Sequence, residues 1–261
     1  MADENAELDI VIIGAGCIGA SCALRFISEF PHKRIALIDR DSDGSTASKD
    51  FNKIVRPTYP VKEYRELAEQ ASVTLETEEP YCKYYHKSGW VQVISPNSYR
   101  SEKVCKDDSK ISTEYLRQLV GSQQDPHLSP NETLWLNKDV AYVDSDLMLE
   151  AVAQEATERG VRRERKTAVK LIIDNGVCQG AQLEDGSRIM AKTTVVTAGP
   201  WTPGLLKNSG VPFPENFFTT LAVPVAILRL TDEELDSLRN MPILVTENGI
   251  HSITHSNKAD V

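Results

Sequence analysis

The chain has 261 residues, 41% of them hydrophobic and 26% charged, the balance of an ordinary globular protein with room for two small domains. A formal net charge of −9 argues against nucleic acid or an anionic membrane surface as a partner, and no run approaches the ~20 apolar residues of a membrane span. The first nine residues are acidic, with no basic leader, so a cytoplasmic protein is expected.

Ile10-Val11-Ile12-Ile13 is a short apolar run with the length of a buried strand. Gly14-Ala15-Gly16-Cys17-Ile18-Gly19 follows at once and opens a helix, whose apolar face is predicted at Ile18, Cys22, Phe26 and Phe30. Pro31 ends that helix, and Ile35-Ala36-Leu37-Ile38 makes a second strand with Asp39 at its tip. Strand, glycine turn, helix, strand and acid compose a dinucleotide-binding unit. Gly14 permits the sharp turn, Gly16 lets the backbone approach a pyrophosphate, and Gly19 lets helix and sheet close on each other. The helix start at Cys17 and Ile18 offers backbone N–H groups to the phosphates, and Asp39 can accept from both hydroxyls of an adenosine ribose. The Cys17 side chain itself reads as small apolar filler.

Arg40 to Pro60 is polar and without periodicity, a loop expected to lie over the bound nucleotide. Val61 to Thr77 reads as a long helix with Tyr64, Leu67, Ala68, Ala71 and Leu75 on one face, and Trp90 to Ile94 as a strand. A short helix is predicted from Ser112, as N-cap, to Val120, ending at Gly121. Asp144 is expected to cap a helix reaching Arg159, with Leu147, Ala151, Val152 and Ala156 buried, and Gly160 to stop it. Turn signals at Asn175-Gly176 and Asp185-Gly186 then divide three short antiparallel strands, Val169–Ile173, Val177–Leu183 and Arg188–Lys192. Thr194 to Gly199 looks like a separate buried strand ending in a small-residue turn. Ala222 to Leu230 is predicted as a strand, Thr231 to Arg239 as a helix with a Thr231/Glu234 capping box, and Ile243 to Ile253 as a strand or hairpin. Five cysteines (Cys17, Cys22, Cys82, Cys105 and Cys178) are odd in number and lack metal-ligand spacing, the pattern of reduced thiols. Residues 1–56 and 144–205 have nucleotide-fold character, and 57–143 and 206–261 strand and aromatic character, which predicts two domains interleaved in sequence.

The opening unit, the Asp50-Phe51-Asn52-Lys53-Ile54-Val55-Arg56 stretch, the capped helix before a meander, and Thr197-Ala198-Gly199-Pro200-Trp201 together resemble the flavin-dependent amine and amino-acid oxidases. This is the group of D-amino-acid oxidase and monomeric sarcosine oxidase, and the Asn-Lys-Ile stretch is most similar to the fungal fructosyl-amino-acid and saccharopine oxidases. The resemblance implies a mixed α/β fold, with a Rossmann-type FAD-binding domain interleaved with an antiparallel-sheet substrate domain and incomplete at the C-terminus. It implies FAD as cofactor, a small amine or N-substituted amino acid as substrate, and O2 as electron acceptor. Gly14, Gly16, Cys17, Ile18 and Gly19 would hold the pyrophosphate and Asp39 the ribose. Arg40, Ser48, Lys49, Asn52 and Lys53 would make the loop contacts, and Val169 would read adenine through its backbone. Ala198, Gly199 and Trp201 would pass close to the flavin, with ordinary core packing the competing reading for Trp201.

Two residues are implied as catalytic. The basic residue matching Lys53 lies over the flavin ring in the family, where a cation stabilises negative charge arising at N1–C2=O, and the arginine matching Arg56 can bind a substrate carboxylate through its planar fork. Family members also carry later segments: a lysine promoting reaction with O2, a cysteine that often links the flavin, and the last strands of the FAD domain. Nothing after Ala259 matches these, so a truncated form, or one completed by a second chain, is expected. Lys258-Ala259-Asp260-Val261 is not the peroxisomal address many members carry. Two alternatives stay open, a non-catalytic nucleotide-binding remnant and an NAD-dependent dehydrogenase.

Overall fold

The computed structural model describes residues 7–40, 46–50, 53–96, 108–120, 128–129, 131–223, 226–246 and 249–251. The chain opens with β1 (Leu8–Ile13), α1 (Cys17–Glu29), β2 (Ile35–Asp39), β3 (Ile54–Val55) and α2 (Lys62–Thr77). Next come β4 (Tyr85–Lys87), β5 (Trp90–Ile94), β6 (Ser109–Ile111), α3 (Thr113–Val120), β7 (Thr133–Asn137), β8 (Ala141–Val143) and α4 (Ser145–Glu158). It continues with β9 (Arg162–Arg165), β10 (Ala168–Asp174), β11 (Val177–Leu183), β12 (Arg188–Val196) and α5 (Thr202–Asn208). α6 (Asp232–Leu238), β13 (Ile243–Thr246) and β14 (Gly249–His251) complete it. Two compact units result, one of Met1–Asp50 with Ser145–Val223, the other of Phe51–Asp144 with Pro224–Val261. Among the described residues no helix is long and apolar enough to cross a membrane.

The first unit is built on a six-stranded sheet in the order β10-β11-β12-β1-β2-β9. Strand β1 runs parallel to both β2 and β12, and β2 parallel to β9, so the centre of the sheet is covered on both faces. That is why β1 and β2 read as unbroken apolar runs: Val11, Ile12, Ile35, Ala36, Leu37 and Ile38 are all buried. Strand β12 is one nine-residue element, where the sequence predicts two. Its first half pairs antiparallel with β11 and its second half parallel with β1, so the strand continues while its partner changes. The edge strand β9 is Arg-Arg-Glu-Arg, a charged edge that discourages further pairing and that hydrophobic patterning does not reveal.

Helix α1 departs from its predicted face. Gly19, Ala20, Ala23, Leu24 and Ile27 are buried, whereas Ile18 and Phe30 are exposed. The helix lies close against β1, β2 and α4, and small residues permit that approach where Phe would not. Helix α4 is likewise turned by about one residue: Met148, Leu149, Val152, Ala153 and Ala156 are inside, and Leu147 is exposed. Asp144, predicted as its cap, directly precedes the helix, and its Oδ2 lies 2.9 Å from His86 Nε2.

One carboxylate ties three strands of this unit together. Asp9 on β1 accepts from the Arg34 backbone N–H at 3.0 Å and from Lys192 Nζ on β12 at 2.9 Å, with Lys33 Nζ at 3.9 Å. The Arg34 N–H, then Lys192 and Lys33, bring its pKa from an ordinary 3.8 down to about 2. A depressed acid contributes stability above its unfolded pKa and loses it as pH falls through the folded one. Asp9→Asn is therefore expected to lower the melting temperature at pH 7, with the difference closing between about pH 4 and pH 2. Circular-dichroism melts across that range check it, and a pH-independent difference would contradict it.

The second unit contains a five-stranded sheet, β14-β13-β5-β7-β6, and a three-stranded sheet, β3-β8-β4. The larger sheet is antiparallel except where β13 runs parallel to β5. Val91, Val93, Leu116, Val120, Leu134, Leu136, Leu238 and Met241 form its core. Ser112 caps α3 as predicted, its Oγ accepting from the Tyr115 N–H at 3.1 Å, while Gly121 lies outside the described residues. Thr231 and Glu234 close a reciprocal capping box on α6. The predicted strand over 222–230 does not form: its described residues are irregular, with Ile227 and Leu228 exposed. Helix α2 buries none of its residues, and Tyr64 and Leu67 of its expected core face are 61% and 62% exposed.

Candidate functional site

The glycine turn is closed by backbone geometry before any ligand is considered. Gly14 has φ +106° and donates its N–H to Ile38 O at 2.7 Å, which locks the turn to β2. Thr197 N donates to Ile13 O at 2.8 Å, and Thr197 Oγ1 lies 3.0 Å from Ile13 O and 2.9 Å from Gly14 O. A Cβ on Gly14 would meet Thr197 O at 2.4 Å, and one on Gly19 would meet Gly14 O at 1.7 Å. Both positions therefore exclude side chains. A Cβ on Gly16 would meet the Ser48 hydroxyl at 2.9 Å.

Above this turn, at the carboxyl ends of β1, β2 and β12, a cavity of about 330 Å³ opens, where parallel α/β sheets bind ligands. Ten of the predicted site residues line it: Gly14, Gly16, Asp39, Arg40, Ser48, Lys49, Val169, Ala198, Gly199 and Trp201. Cys17, Ile18 and Gly19 are not in the lining; Cys17 and Ile18 are exposed at the start of α1, and Gly19 is buried beneath it. Asn52 lies outside the described residues. The lining also includes Pro200 of the quoted Thr197–Trp201 motif, and Thr46, Lys166, Thr167, Leu205 and Asn208, which sequence patterning does not single out. Of these, Lys166 and Thr167 flank Val169 at the start of the meander, and that proximity is the one signal that could have found them.

The polar groups around the cavity are held in specific states. Asp39 Oδ2 accepts a short bond from the Ala15 N–H, so one carboxylate oxygen secures the glycine turn while the side chain faces the cavity. Ser48 Oγ accepts from the Cys17 N–H at 3.2 Å. Helix α1 begins at Gly16 with no side-chain cap and no acid in its first turn, an arrangement suited to an anion at its N-terminus. Lys166 pairs with Asp185 at 2.8 Å, which raises the lysine's pKa and holds the Asp185 carboxyl well below the ordinary carboxylate range. Arg40 is exposed, and its guanidinium lies 4.0 Å from the centroid of the Trp201 ring. Trp201 is thus neither core nor bare surface, but half-exposed beneath a cation.

These features fit a nucleotide diphosphate. Backbone N–H groups at an uncapped helix start suit the phosphates, a glycine turn too close to β12 for any Cβ keeps that backbone bare, and Asp39 stands at the tip of β2. FAD carries such a diphosphate, and Gly14, Gly16, Asp39 and Ser48 are the residues that would hold it.

Lys53 and Arg56 belong to the second unit. Lys53 precedes β3, and its carbonyl accepts from the Val143 N–H at 3.0 Å. Arg56 follows β3 with its guanidinium 4.7 Å from the Tyr59 ring centroid and 5.5 Å from that of Trp90. On β4, His86 Nε2 lies 2.9 Å from Asp144 Oδ2, and its ring stacks on Tyr142 of β8 at 4.8 Å. Burial raises the Tyr142 pKa, with the Asp144 charge adding to it. This Asp–His pair spans 58 residues of sequence, so its spacing carries no local signal.

The family model described as DAO, FAD dependent oxidoreductase, matches residues 9–257. The L-saccharopine oxidase of Schizosaccharomyces pombe is 27% identical over 267 positions, covering 90% of this chain and 59% of that protein. Among solved structures, the Aspergillus fumigatus fructosamine oxidase Amadoriase II superposes with a TM-score of 0.75 at 19% identity, covering 96% of this chain and 59% of that one. Amadoriase I from the same organism gives 0.74 at 20% identity, covering 92% and 58%. The chain thus spans about three-fifths of the length of these relatives.

Proposed function

The chain belongs to the DAO family of FAD-dependent oxidoreductases, and on that premise we propose that its first unit binds FAD and that the protein takes part in oxidising the C–N bond of a secondary amine or N-substituted amino acid. The observation that carries this reading is the cavity over Gly14 and Gly16, bordered by Asp39 and by the Ala198–Trp201 turn. FAD supplies the two-electron acceptor, and O2 returns it to the oxidised state. The chain's own groups bind and orient. Gly14, Gly16 and the α1 N-terminus take the diphosphate, Asp39 the ribose and the Val169 backbone the adenine. We assign substrate to the second unit, with Arg56, steadied on Tyr59 and Trp90, as the fork for a carboxylate and Lys53 as the cation that offsets negative charge. The relatives' names support an amine substrate: one is a saccharopine oxidase, the other a fructosamine oxidase.

The test is reconstitution. Purified protein incubated with FAD should retain a flavin absorption spectrum after gel filtration. FAD at a hundred times its dissociation constant stabilises by about 2.7 kcal/mol, which raises the melting temperature by about 5–10 °C for a chain of this size. Release of peroxide on adding saccharopine or a fructosyl amino acid would establish the substrate class. A colourless protein, unshifted by FAD and stabilised by NADH, would overturn the cofactor and the amine chemistry together.

A further inference from the structure

Lys49, Lys166 and Arg40 are the cations that line the main cavity, and their partners differ. Lys166 is paired with Asp185 at 2.8 Å, and Lys49 stands 4.0 Å from Asp146. The Arg40 guanidinium instead lies over the Trp201 ring, and among the described residues no hydrogen bond or ion pair takes up its N–H donors. Two acids share its surroundings. Asp39 precedes it in sequence and accepts from the Ala15 N–H, and Glu150 is bound by Arg163 and Arg165.

The sheet order gives this stack its place. Strands β12, β1 and β2 are parallel neighbours in that order, so the tips of β12 and β2 stand two strand spacings apart, about 10 Å. Arg40 directly follows β2, and Trp201 lies in the turn after β12. Their contact therefore crosses above the carboxyl end of β1, where the Gly14 turn sits. Both side chains line the cavity and both are open to solvent, Trp201 at 44%, which puts the stack on the outer side with the glycine turn beneath it. The Trp201 backbone is held, since its N–H donates to Ala198 O at 3.1 Å and α5 begins at the next residue. An arginine laid on a ring anchored in this way loses less freedom on meeting a ligand than one extended into water.

We propose that Arg40 and Trp201 clasp the diphosphate of a bound nucleotide against the glycine turn, with Arg40 as its counter-cation and Trp201 as the positioning residue that holds the guanidinium there. This rests on the nucleotide reading above. The start of α1 offers backbone N–H groups from below but no charged side chain in its first turn, Cys17-Ile18-Gly19. A guanidinium above the turn supplies the missing positive charge, in a planar fork that suits phosphate oxygens. A contact made only in the complex acts chiefly on release.

The rate of FAD release from the whole chain, followed by flavin fluorescence after mixing with excess ADP-ribose, tests this. Arg40→Gln should release FAD about tenfold faster, the worth of one charge-assisted hydrogen bond, and Trp201→Leu about threefold faster, the worth of an exposed cation–π contact. The double variant should be no faster than Arg40→Gln alone, because Trp201 acts through Arg40, and Trp201→Phe should recover most of the loss. Salt should quicken release from the unaltered protein, and Arg40→Gln should respond to salt less steeply. If Arg40→Gln releases FAD at the unaltered rate, or faster with an unchanged salt response, the clasp is overturned and the FAD reading stands. Additive effects in the double variant would put Trp201 on the ligand itself and remove its positioning role. If the unaltered protein binds neither FAD nor ADP-ribose, the nucleotide reading falls and the clasp falls with it.

Discussion

Lys53→Met is expected to slow flavin reduction by an N-substituted amino acid about 10²–10³-fold while leaving FAD affinity within about twofold. Accepting two electrons places negative charge on the acceptor, and a cation fixed nearby in a water-poor site stabilises that charge in the transition state more than it could in water. Lys53 is suited to being fixed. It directly precedes β3, and its carbonyl accepts from the Val143 N–H on β8, which ties the backbone there to that strand. Methionine retains the length and apolar stem and removes only the charge. Stopped-flow bleaching without O2 isolates the reductive half-reaction, and Lys53→Arg should restore part of the rate because the charge returns in a different shape. An unchanged rate in the methionine variant would remove Lys53 from the chemistry, whatever the FAD affinity.

The parts of this fold that could be read in advance are those where a residue type answers a local demand. A positive φ at Gly14, Asn175 or Gly176 needs glycine or asparagine, and each marks a turn visible in the sequence. Capping residues such as Ser112 and Thr231 satisfy backbone groups within three residues, so they too announce themselves. What stayed hidden depends on partners far away in sequence. The α1 face differs from the one the pattern predicts because large apolar residues at four-residue spacing suggest a core stripe, while a close helix–sheet approach selects Gly19, Ala20 and Ala23 instead. Strands β7 and β8 give no alternating pattern long enough to notice, and β9 is charged throughout. The apolar 222–230 segment looks like a strand, yet β-propensity without a neighbour to pair with does not make one. At the cavity, the glycine turn and Asp39 were legible because each has a mechanism in its own few residues. The Arg40–Trp201 stack and the paired state of Lys166 were not, since each joins segments 161 and 19 residues apart.

Gly19→Ala should cost both stability and cofactor, and a second glycine shows why the two losses are separable. A methyl at position 19 would stand 1.7 Å from the Gly14 carbonyl oxygen and 2.6 Å from Thr197 Oγ1. The first neighbour is backbone and cannot swing aside, so α1 must lift from the turn or the turn must open. Overpacking of this kind costs about 1–3 kcal/mol, and sometimes more. Lifting α1 also displaces the N–H groups at its start. Losing one charge-assisted hydrogen bond to a phosphate weakens FAD about 10–100-fold. Gly180 supplies the control. It has φ +134°, and an added Cβ would lie 1.9 Å from Ile189 O, an equally severe conflict between β11 and β12, but it takes no part in the cavity lining. Gly180→Ala is therefore expected to lower the melting temperature comparably while its folded fraction binds FAD as the unaltered protein does. Equilibrium titration of flavin fluorescence, run below the melting transition of both variants, compares them directly. Equal FAD affinity in the two variants would mean that the closeness of α1 to the Gly14 turn serves packing alone, and the diphosphate would have to be held by some other part of the chain.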